Sequence, residues 1–377
     1  MAAAQNQGLT SRTRGVSRRT VLKGLGTGAA AVAFPMVLTP RKAKAAIKLT
    51  VRDPGGPYVK AMTEAFYKPF NEAMKGDIVV TGVISQHEPT SMVKSMVDSK
   101  TYTWDIAGGF SISSTNVLLE GPGYLEKLEI DSDREVQEIP ARFRMPYLLG
   151  YEVFTCILAY RTDVYPKKAP APTGGWKDLW EVGRIPGVRS LRKHPFYTIE
   201  QATMAAGVPA NQVYDYLRKN GFDPAFKQLD KIKKHVNIWW TGAAQTSQLL
   251  ATGEVDMVPT FNGRAQDAID GGAPAALSRN QAIWTYGGMA ILKGGPNIDA
   301  CRKFIRFCAN AERQATLAKY IAVGPTNPNA FKHLAPERAA VLGTAPRNFE
   351  QSIEMDAAFW GKEKDKGTDR FNQWIVG

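Results

Sequence analysis

Short apolar runs alternate with amphipathic stretches along most of the chain. The run Met257–Phe261 shows this most clearly, since it follows a helix-like stretch and an acidic turn and leads through Asn262-Gly263 into a helix that opens at Arg264. Helix, short buried strand and helix make one unit of an α/β layer. Ligands bind at the carboxyl ends of strands in open α/β sheets, so Phe261, Asn262 and Arg264 are the first candidate site. On local pattern alone, the explanation that Phe261 is core and Asn262-Gly263 is only a turn is the favoured one.

Strand–loop–helix repeats elsewhere predict a parallel sheet whose loops share one edge. A length of 377 residues exceeds one ordinary core, so two domains are expected. The predicted strands are 47–51, 78–83, 104–107, 154–160, 187–191, 257–261 and 283–292, and the predicted helices are 59–74, 89–99, 176–180, most of 199–235, 243–251 and 298–317.

The first 46 residues are predicted to be an export signal. The basic segment SRRTVLK, residues 17–23, precedes a weakly apolar stretch of about 15 residues and a small-x-small cleavage site at Ala43-Lys44-Ala45. This stretch is shorter than the roughly 20 apolar residues of a membrane span. The segment resembles a twin-arginine signal, which implies passage through the twin-arginine translocase, cleavage near Ala45 and a periplasmic protein. Retention of the segment as an anchor is the alternative.

Charge argues against a nucleic-acid partner. The formal charge is +13, but residues 1–46 carry eight basic residues and no acid, which leaves +5 for the rest. That remainder shows no basic run interleaved with aromatics. Cys301 and Cys308 lie about 10 Å apart if helical, too far for a disulfide, and the four histidines lack metal-ligand spacing. We therefore predict no metal, no cofactor and no catalytic residue.

Several strings, taken in order, are similar to one family from about Leu49 to Trp374. The family is the extracellular solute-binding proteins of bacterial ABC importers, and within it the clade of spermidine/putrescine-binding proteins. The matching strings are WDIAGG (104–109), TCILAYRTDVYP (155–166), WKDLW (176–180), LLATGEVDMVPTFNGRA (249–265), IAVGPTN (321–327) and RFNQW (370–374).

The resemblance implies an α/β fold of the two-lobed periplasmic binding protein type (type II). Each lobe has a mostly parallel sheet with flanking helices, and a hinge joins the lobes and closes them on the ligand. Expected partners are a small-molecule ligand and an ABC permease in the inner membrane, and the protein is expected to be a monomer. The implied boundaries are 47–155 plus 285–335 for lobe one, 156–284 for lobe two and 336–377 for a C-terminal helical segment packing across both.

The cleft of polyamine-binding relatives combines aromatics with acids, because a buried cation needs a carboxylate or a ring face. In this chain the aromatics partly persist, but Gly287 replaces one acid and Arg192-Lys193-His194 replaces others. Such a cleft suits a carboxylate, phosphonate or sulfonate better than a diamine. The predicted ligand-binding residues are Tyr58, Phe110, Ser111, Trp240, Phe261, Asn262, Arg264, Trp284 and Tyr286.

Each of these residues also has an ordinary structural explanation. Tyr58 could be a surface ring, and Phe110 and Trp284 could be core residues. Ser111 could cap the next helix. Trp239 and Trp240 are adjacent and point different ways, so that one could face the cleft and the other the core. The basic residues could face solvent.

The function predicted from the sequence is that of an ABC-transporter substrate-binding protein, which captures a small polar organic solute in the periplasm. The first alternative is polyamine binding in the family's usual way. The second is an exported enzyme, although no Cys/His cluster, phosphate loop or nucleophile elbow marks one. A ligand-sensing receptor module would share the fold, whereas a ferric-ion-binding relative would need adjacent tyrosines, which the chain lacks.

Overall fold

A sheet of twelve strands runs through the computed structural model, which describes residues 45–85, 90–119 and 123–377. Its main path has the order β2-β1-β3-β10-β6-β9-β7-β8, with the short strands β4, β5, β11 and β12 added at the sides. The strands are β1 (Ile47–Asp53), β2 (Ile78–Ile84), β3 (Ile106–Ser111), β4 (Leu125–Glu126), β5 (Arg144–Met145), β6 (Leu148–Arg161), β7 (Arg189–Arg192), β8 (Val236–Trp240), β9 (Met257–Phe261), β10 (Ala275–Leu292), β11 (Gly324–Pro325) and β12 (Ser352–Glu354).

Helices connect the strands and flank the sheet. The first helical segment is interrupted by a π-helical stretch, Thr63–Tyr67, and 3₁₀ turns lie at Ala141–Phe143, Ala210–Gln212 and Pro328–His333. The α-helices are α1 (Pro57–Met62), α2 (Lys68–Met74), α3 (Thr90–Ser99), α4 (Ile112–Leu119), α5 (Arg134–Gln137), α6 (Lys177–Trp180), α7 (Pro195–Ala205), α8 (Val213–Asn220), α9 (Asp223–Lys233), α10 (Ala243–Thr252), α11 (Asn262–Asp270), α12 (Ile298–Cys308), α13 (Ala311–Tyr320), α14 (Pro336–Ala340), α15 (Pro346–Glu350) and α16 (Ala357–Val376).

Strand direction divides the sheet into two halves. On one side β2, β1 and β3 are mutually parallel, and on the other β9, β7 and β8 are mutually parallel. Between them, β10 and β6 run antiparallel to each other and to their neighbours β3 and β9. The predicted mostly parallel α/β architecture is therefore confirmed, and its two halves meet at a pair of long antiparallel strands.

Both central strands contribute to two hydrophobic cores. Val153 of β6 lies in the first core with β1 to β3, whereas Cys156 of the same strand lies in the second core with α7 and α9. On β10 the change occurs between Trp284 in the first core and Ile283 in the second. The second half of the sheet also packs on its other face against α10 and α11.

Several predicted elements differ from the structure in length or position. The strand predicted at 154–160 begins at Leu148, and the strand predicted at 283–292 begins at Ala275, so both are long enough to serve two cores. The helix predicted at 298–317 is two helices, because Asn310 leaves the helical region and accepts a hydrogen bond from the Arg313 N–H as the cap of α13. All three cysteines are free and buried.

The C-terminal helix α16 contacts α4 in the first half and α7 in the second. None of the helices in the described ranges is long and apolar enough to cross a membrane. The predicted export signal lies outside the described residues, except for its last two positions.

Candidate solute-binding cavity

A cavity of about 280 Å³ lies between the two halves of the sheet, at the level where β6 and β10 pass from one core to the other. Its walls come from the loop before α1, from the end of β3, from β6 and β10, and from the ends of β7 and β9. Met355 and Lys364 close one side. The polar lining consists of Ser111, Glu152, Arg192, His194, Thr241, Arg264, Thr285 and Lys364, and the aromatic lining consists of Tyr58, Phe154, Phe196, Tyr197 and Phe261.

Three parallel strands place one cation and two rings at their carboxyl ends, beside the cavity. Arg192 ends β7, Trp240 ends β8 and Phe261 ends β9. The Arg192 guanidinium lies 5.5 Å from the Trp240 ring centre and 5.8 Å from that of Phe261, and Tyr197 adds a third ring at 5.5 Å. Rings at these distances stabilise the cation through their π faces. They also hold it in place at the edge where open α/β sheets bind ligands.

Tyr197 occupies a strained backbone position. It has φ 70° and ψ −41° inside α7, where the helix is kinked, and its side chain is buried. Residues other than glycine rarely adopt positive φ, and such strain is typical of binding and catalytic sites. His194 begins this segment, and its Nδ1 accepts a hydrogen bond from the Phe196 N–H at 3.1 Å. The turn therefore places the Tyr197 ring against both Arg192 and Phe261.

Arg264 reaches from the first turn of α11 to the opposite wall. Its side chain is 5% exposed, and its guanidinium lies 5.4 Å from the Tyr58 ring centre. A Cβ atom at Gly56 would lie 3.0 Å from Nη1 of Arg264, so the arginine passes directly over the loop before α1. Within the described part of the chain, Nη1 has no hydrogen-bond partner. Arg264 therefore adds to the cavity wall a buried guanidinium with an unused donor.

Glu152 on β6 is the only acid among the described residues that line the cavity. Its side chain is 2% exposed, and Oε2 has no hydrogen-bond partner among those residues. Burial raises the Glu152 pKa to about 7, although the nearby Tyr58 and Tyr151 hydroxyls and the Arg264 charge act in the opposite direction. The cavity therefore contains a carboxyl group that changes charge near neutral pH.

The predicted site residues fall into two sets. Tyr58, Ser111, Phe261 and Arg264 line the cavity together, and Trp240 packs behind them against Arg192. Ser111 also accepts a hydrogen bond from the Ser114 N–H, so that its capping role and its place in the cavity coexist.

The other predicted residues lie outside the cavity wall. Phe110 is buried in the first core, and Trp284 and Tyr286 pack edge-on against Phe143, with ring centres 6.2 and 5.1 Å away. Between these two residues, Thr285 points to the opposite face of β10 and lines the cavity.

Asn262 is also buried away from the cavity. Its side-chain amide donates to the carbonyl oxygens of Ala322 at 2.8 Å and Val341 at 3.0 Å, and its own oxygen accepts from Arg279. The Asn-Gly pair therefore does not form a loop after β9, because α11 begins directly at Asn262. These hydrogen bonds connect the start of α11 to the segments that follow α13 and α14.

Sequence reasoning did not include Glu152, Phe154, Tyr197, Thr241 and Thr285 in the site. The one available signal was period-two alternation along β6, which puts Glu152 and Phe154 on one face and Tyr151 and Val153 on the other.

Fold and cavity together define a two-lobed binding protein for a small solute. Residues 65–341 match the family described as bacterial extracellular solute-binding protein. A gamma-aminobutyric acid-binding protein of Pseudomonas aeruginosa is 32% identical over 332 residues, which cover 87% of this chain and 91% of that protein. The chain belongs to this family of solute-binding proteins, which act outside the cytoplasm.

Solved structures agree with this assignment. An ABC transporter substrate-binding protein from Bradyrhizobium japonicum superposes with a TM-score of 0.79 at 33% identity, covering 87% of this chain and 99% of that one. The periplasmic binding protein MotA from A. tumefaciens B6, solved in complex with glucopine, also has a TM-score of 0.79. It is 28% identical, with 87% of this chain and all of that one covered.

Proposed function

We propose that this protein captures a small solute bearing a carboxylate and delivers it to an ABC permease, with Arg264 and Arg192 as the groups that meet the carboxylate. The observation that carries the proposal is the buried Arg264 guanidinium in the cavity wall, whose Nη1 has no hydrogen-bond partner among the residues that the structure describes.

A buried donor without an acceptor is costly, so an arginine in this position stabilises the fold best when a ligand supplies the missing acceptor. A planar carboxylate matches the guanidinium fork and can accept two parallel hydrogen bonds. Arg192 offers a second cation whose orientation the surrounding rings already restrict. The site is therefore organised for an anionic group before any ligand arrives.

Cavity size limits the solute. A cavity of about 280 Å³ is at the lower end of the roughly 300–1,000 Å³ range of small-molecule sites, which favours a small solute such as an amino acid or a compact amino-acid conjugate. The names of the relatives point to the same classes, since one binds gamma-aminobutyric acid and one was solved with glucopine.

The charged residues that line the cavity support a polyamine ligand less well than a carboxylate. Arg192, His194, Arg264 and Lys364 line the cavity, against Glu152 as the single acid in the described lining. A diamine needs an acceptor or ring at each end and would place at least one ammonium near these basic groups. Membership of the spermidine/putrescine-binding clade stays a hypothesis, which the binding test below addresses.

The proposed cycle is capture, closure of the lobes and release to the permease. We place lobe one at residues 47–155 plus 285–335 and lobe two at 156–284, with 336–377 packing across both, and the hinge within β6 and β10. Export through the twin-arginine translocase, cleavage near Ala45 and a monomeric state complete the proposal. The relatives are binding proteins, which supports capture and not catalysis.

The test is a binding panel measured by thermal shift and calorimetry with 4-aminobutanoate, glucopine and putrescine. A ligand at 100 times its Kd stabilises the native state by about 2.7 kcal/mol, so a specific ligand raises the melting temperature measurably. We expect a shift with at least one carboxylate and its loss in Arg264→Gln. Arg347→Gln, which changes an exposed arginine outside the cavity, is the matched control. A shift with putrescine alone would overturn the proposal.

A further inference from the structure

Glu152 has a place in the cavity that carboxylate capture alone does not explain. It is the single acid in the described lining, it is almost fully buried, and its Oε2 accepts no hydrogen bond within the described ranges. The Tyr58 and Tyr151 hydroxyls act on the carboxylate, but no cation pairs with it in the cavity lining that the structure describes. A purely anionic solute would add a second negative charge beside this buried one, which is unfavourable. The position therefore calls for a donor that arrives with the solute.

Two arginines, Arg52 and Arg264, lie close enough to Glu152 for their charges to lower its pKa. Arg52 donates to the backbone oxygens of Gly108 and Ser85, and Arg264 lies over the Tyr58 ring. Both guanidinium groups therefore have other neighbours, and Oε2 has no hydrogen-bond partner within the described ranges.

We propose that Glu152 receives the ammonium group of a zwitterionic solute whose carboxylate is held by Arg264 and Arg192. This inference rests on the proposed function and adds the second half of the recognition. A protonated amine supplies both a positive charge and N–H donors to Oε2, which a hydroxyl group cannot do. The preferred solute class is therefore an amino acid or an amino-acid conjugate with a free amine, and not a simple carboxylate.

Binding of the solute is then coupled to the loss of a proton from Glu152. With its pKa near 7 Glu152 is about half protonated at neutral pH, and it must be ionised to hold an ammonium group. The apparent affinity for a zwitterion falls as pH drops, by about tenfold between pH 8 and pH 6, because the ionised fraction falls by that factor. The titratable and charged groups that act on Glu152 are Tyr58 from α1, Tyr151 from its own strand, Arg52 from β1 and Arg264 from α11. Asp53 of β1 is a further charge beside the two tyrosines.

The experiment compares 4-aminobutanoate with butanoate, which lacks only the amine, by titration calorimetry at pH 6, 7 and 8. For the wild-type protein we expect tighter binding of 4-aminobutanoate, about tenfold weakening from pH 8 to pH 6, and release of about half a proton at pH 7. Proton release is measured from the binding heat in buffers of different ionisation enthalpy. This measurement needs no variant, so it decides the question even if a substitution unfolds the protein.

Glu152→Gln keeps the size of the side chain and removes its charge. We expect this variant to bind 4-aminobutanoate more weakly, to lose the pH dependence and to discriminate little between the two probes, while Glu337→Gln, an exposed change outside the cavity, behaves as wild type. Equal affinity for both probes, or binding without proton release, would refute the role of Glu152 and leave carboxylate capture standing. Failure of every carboxylate in the panel would instead refute the proposed function and this inference with it.

Discussion

Replacing Glu152 by glutamine should make the ligand-free protein more stable at high pH. An ordinary glutamate has a pKa of 4.5, and burial raises that of Glu152 to about 7. Between these values the unfolded chain loses the proton while the folded chain keeps it, so folding loses stability as pH rises. This rise in pKa destabilises the folded protein by about 3 kcal/mol. The destabilisation is absent below pH 4.5 and complete above pH 7.

The assay is urea unfolding of both proteins, without ligand, at several pH values between 4.5 and 8. At each pH the free energy of unfolding of Glu152→Gln is compared with that of wild type. The informative quantity is how this difference changes with pH, because any pH-independent effect of the glutamine on stability cancels. We expect this difference to move by about 3 kcal/mol in favour of the variant. Glu200 is also buried and has a pKa of about 6. It therefore adds its own pH dependence of stability, but it does so equally in both proteins. A difference that stays constant with pH would show that Glu152 is not a high-pKa carboxyl in the folded protein.

Two further substitutions test the geometry around the cavity. Gly56→Ala places a Cβ 3.0 Å from Arg264 Nη1 at a φ of 64°, so we expect about 1–2 kcal/mol of lost stability and roughly tenfold weaker carboxylate binding by calorimetry. Gly272→Ala, at φ 94° with no atom near the added Cβ, should show the stability loss with unchanged affinity, and weaker binding there would contradict the reasoning. Asn262→Ala removes the donor to the buried Ala322 carbonyl and should cost about 2 kcal/mol in urea unfolding, whereas a loss below 0.5 kcal/mol would argue against this bond.

Local patterns predicted the elements of the fold well where one strand serves one core. The strand Met257–Phe261 is found where the sequence predicted it, since it is a short apolar run between clear turn and helix signals. Strand β6 was predicted only from residue 154, because Gly150 and Glu152 interrupt its apolar character. The part of the strand that was not predicted carries Glu152, the single acid in the described cavity lining.

The composition of the site was predictable by region and less so by residue. The sequence resemblance led to Trp284 and Tyr286, but the alternation of side chains along β10 turns both toward Phe143 and turns Thr285 toward the cavity. On β3 the same alternation separates Phe110 in the core from Ser111 in the cavity. The face on which a residue lies depends on the register of pairing, which a single sequence does not specify.

The two long strands that carry both cores also carry part of the cavity wall. In the closure proposed above, rotation of one half of the sheet against the other takes place in β6 near residues 153–156 and in β10 near residues 283–285, where these strands pass between the cores. Glu152, Phe154 and Thr285, which border these peptides, all line the cavity. A solute bound in the proposed site would therefore touch the proposed hinge. We expect a substitution that adapts the cavity to a new solute to change the angle between the lobes as well, and with it the fraction of ligand-free molecules in the closed conformation.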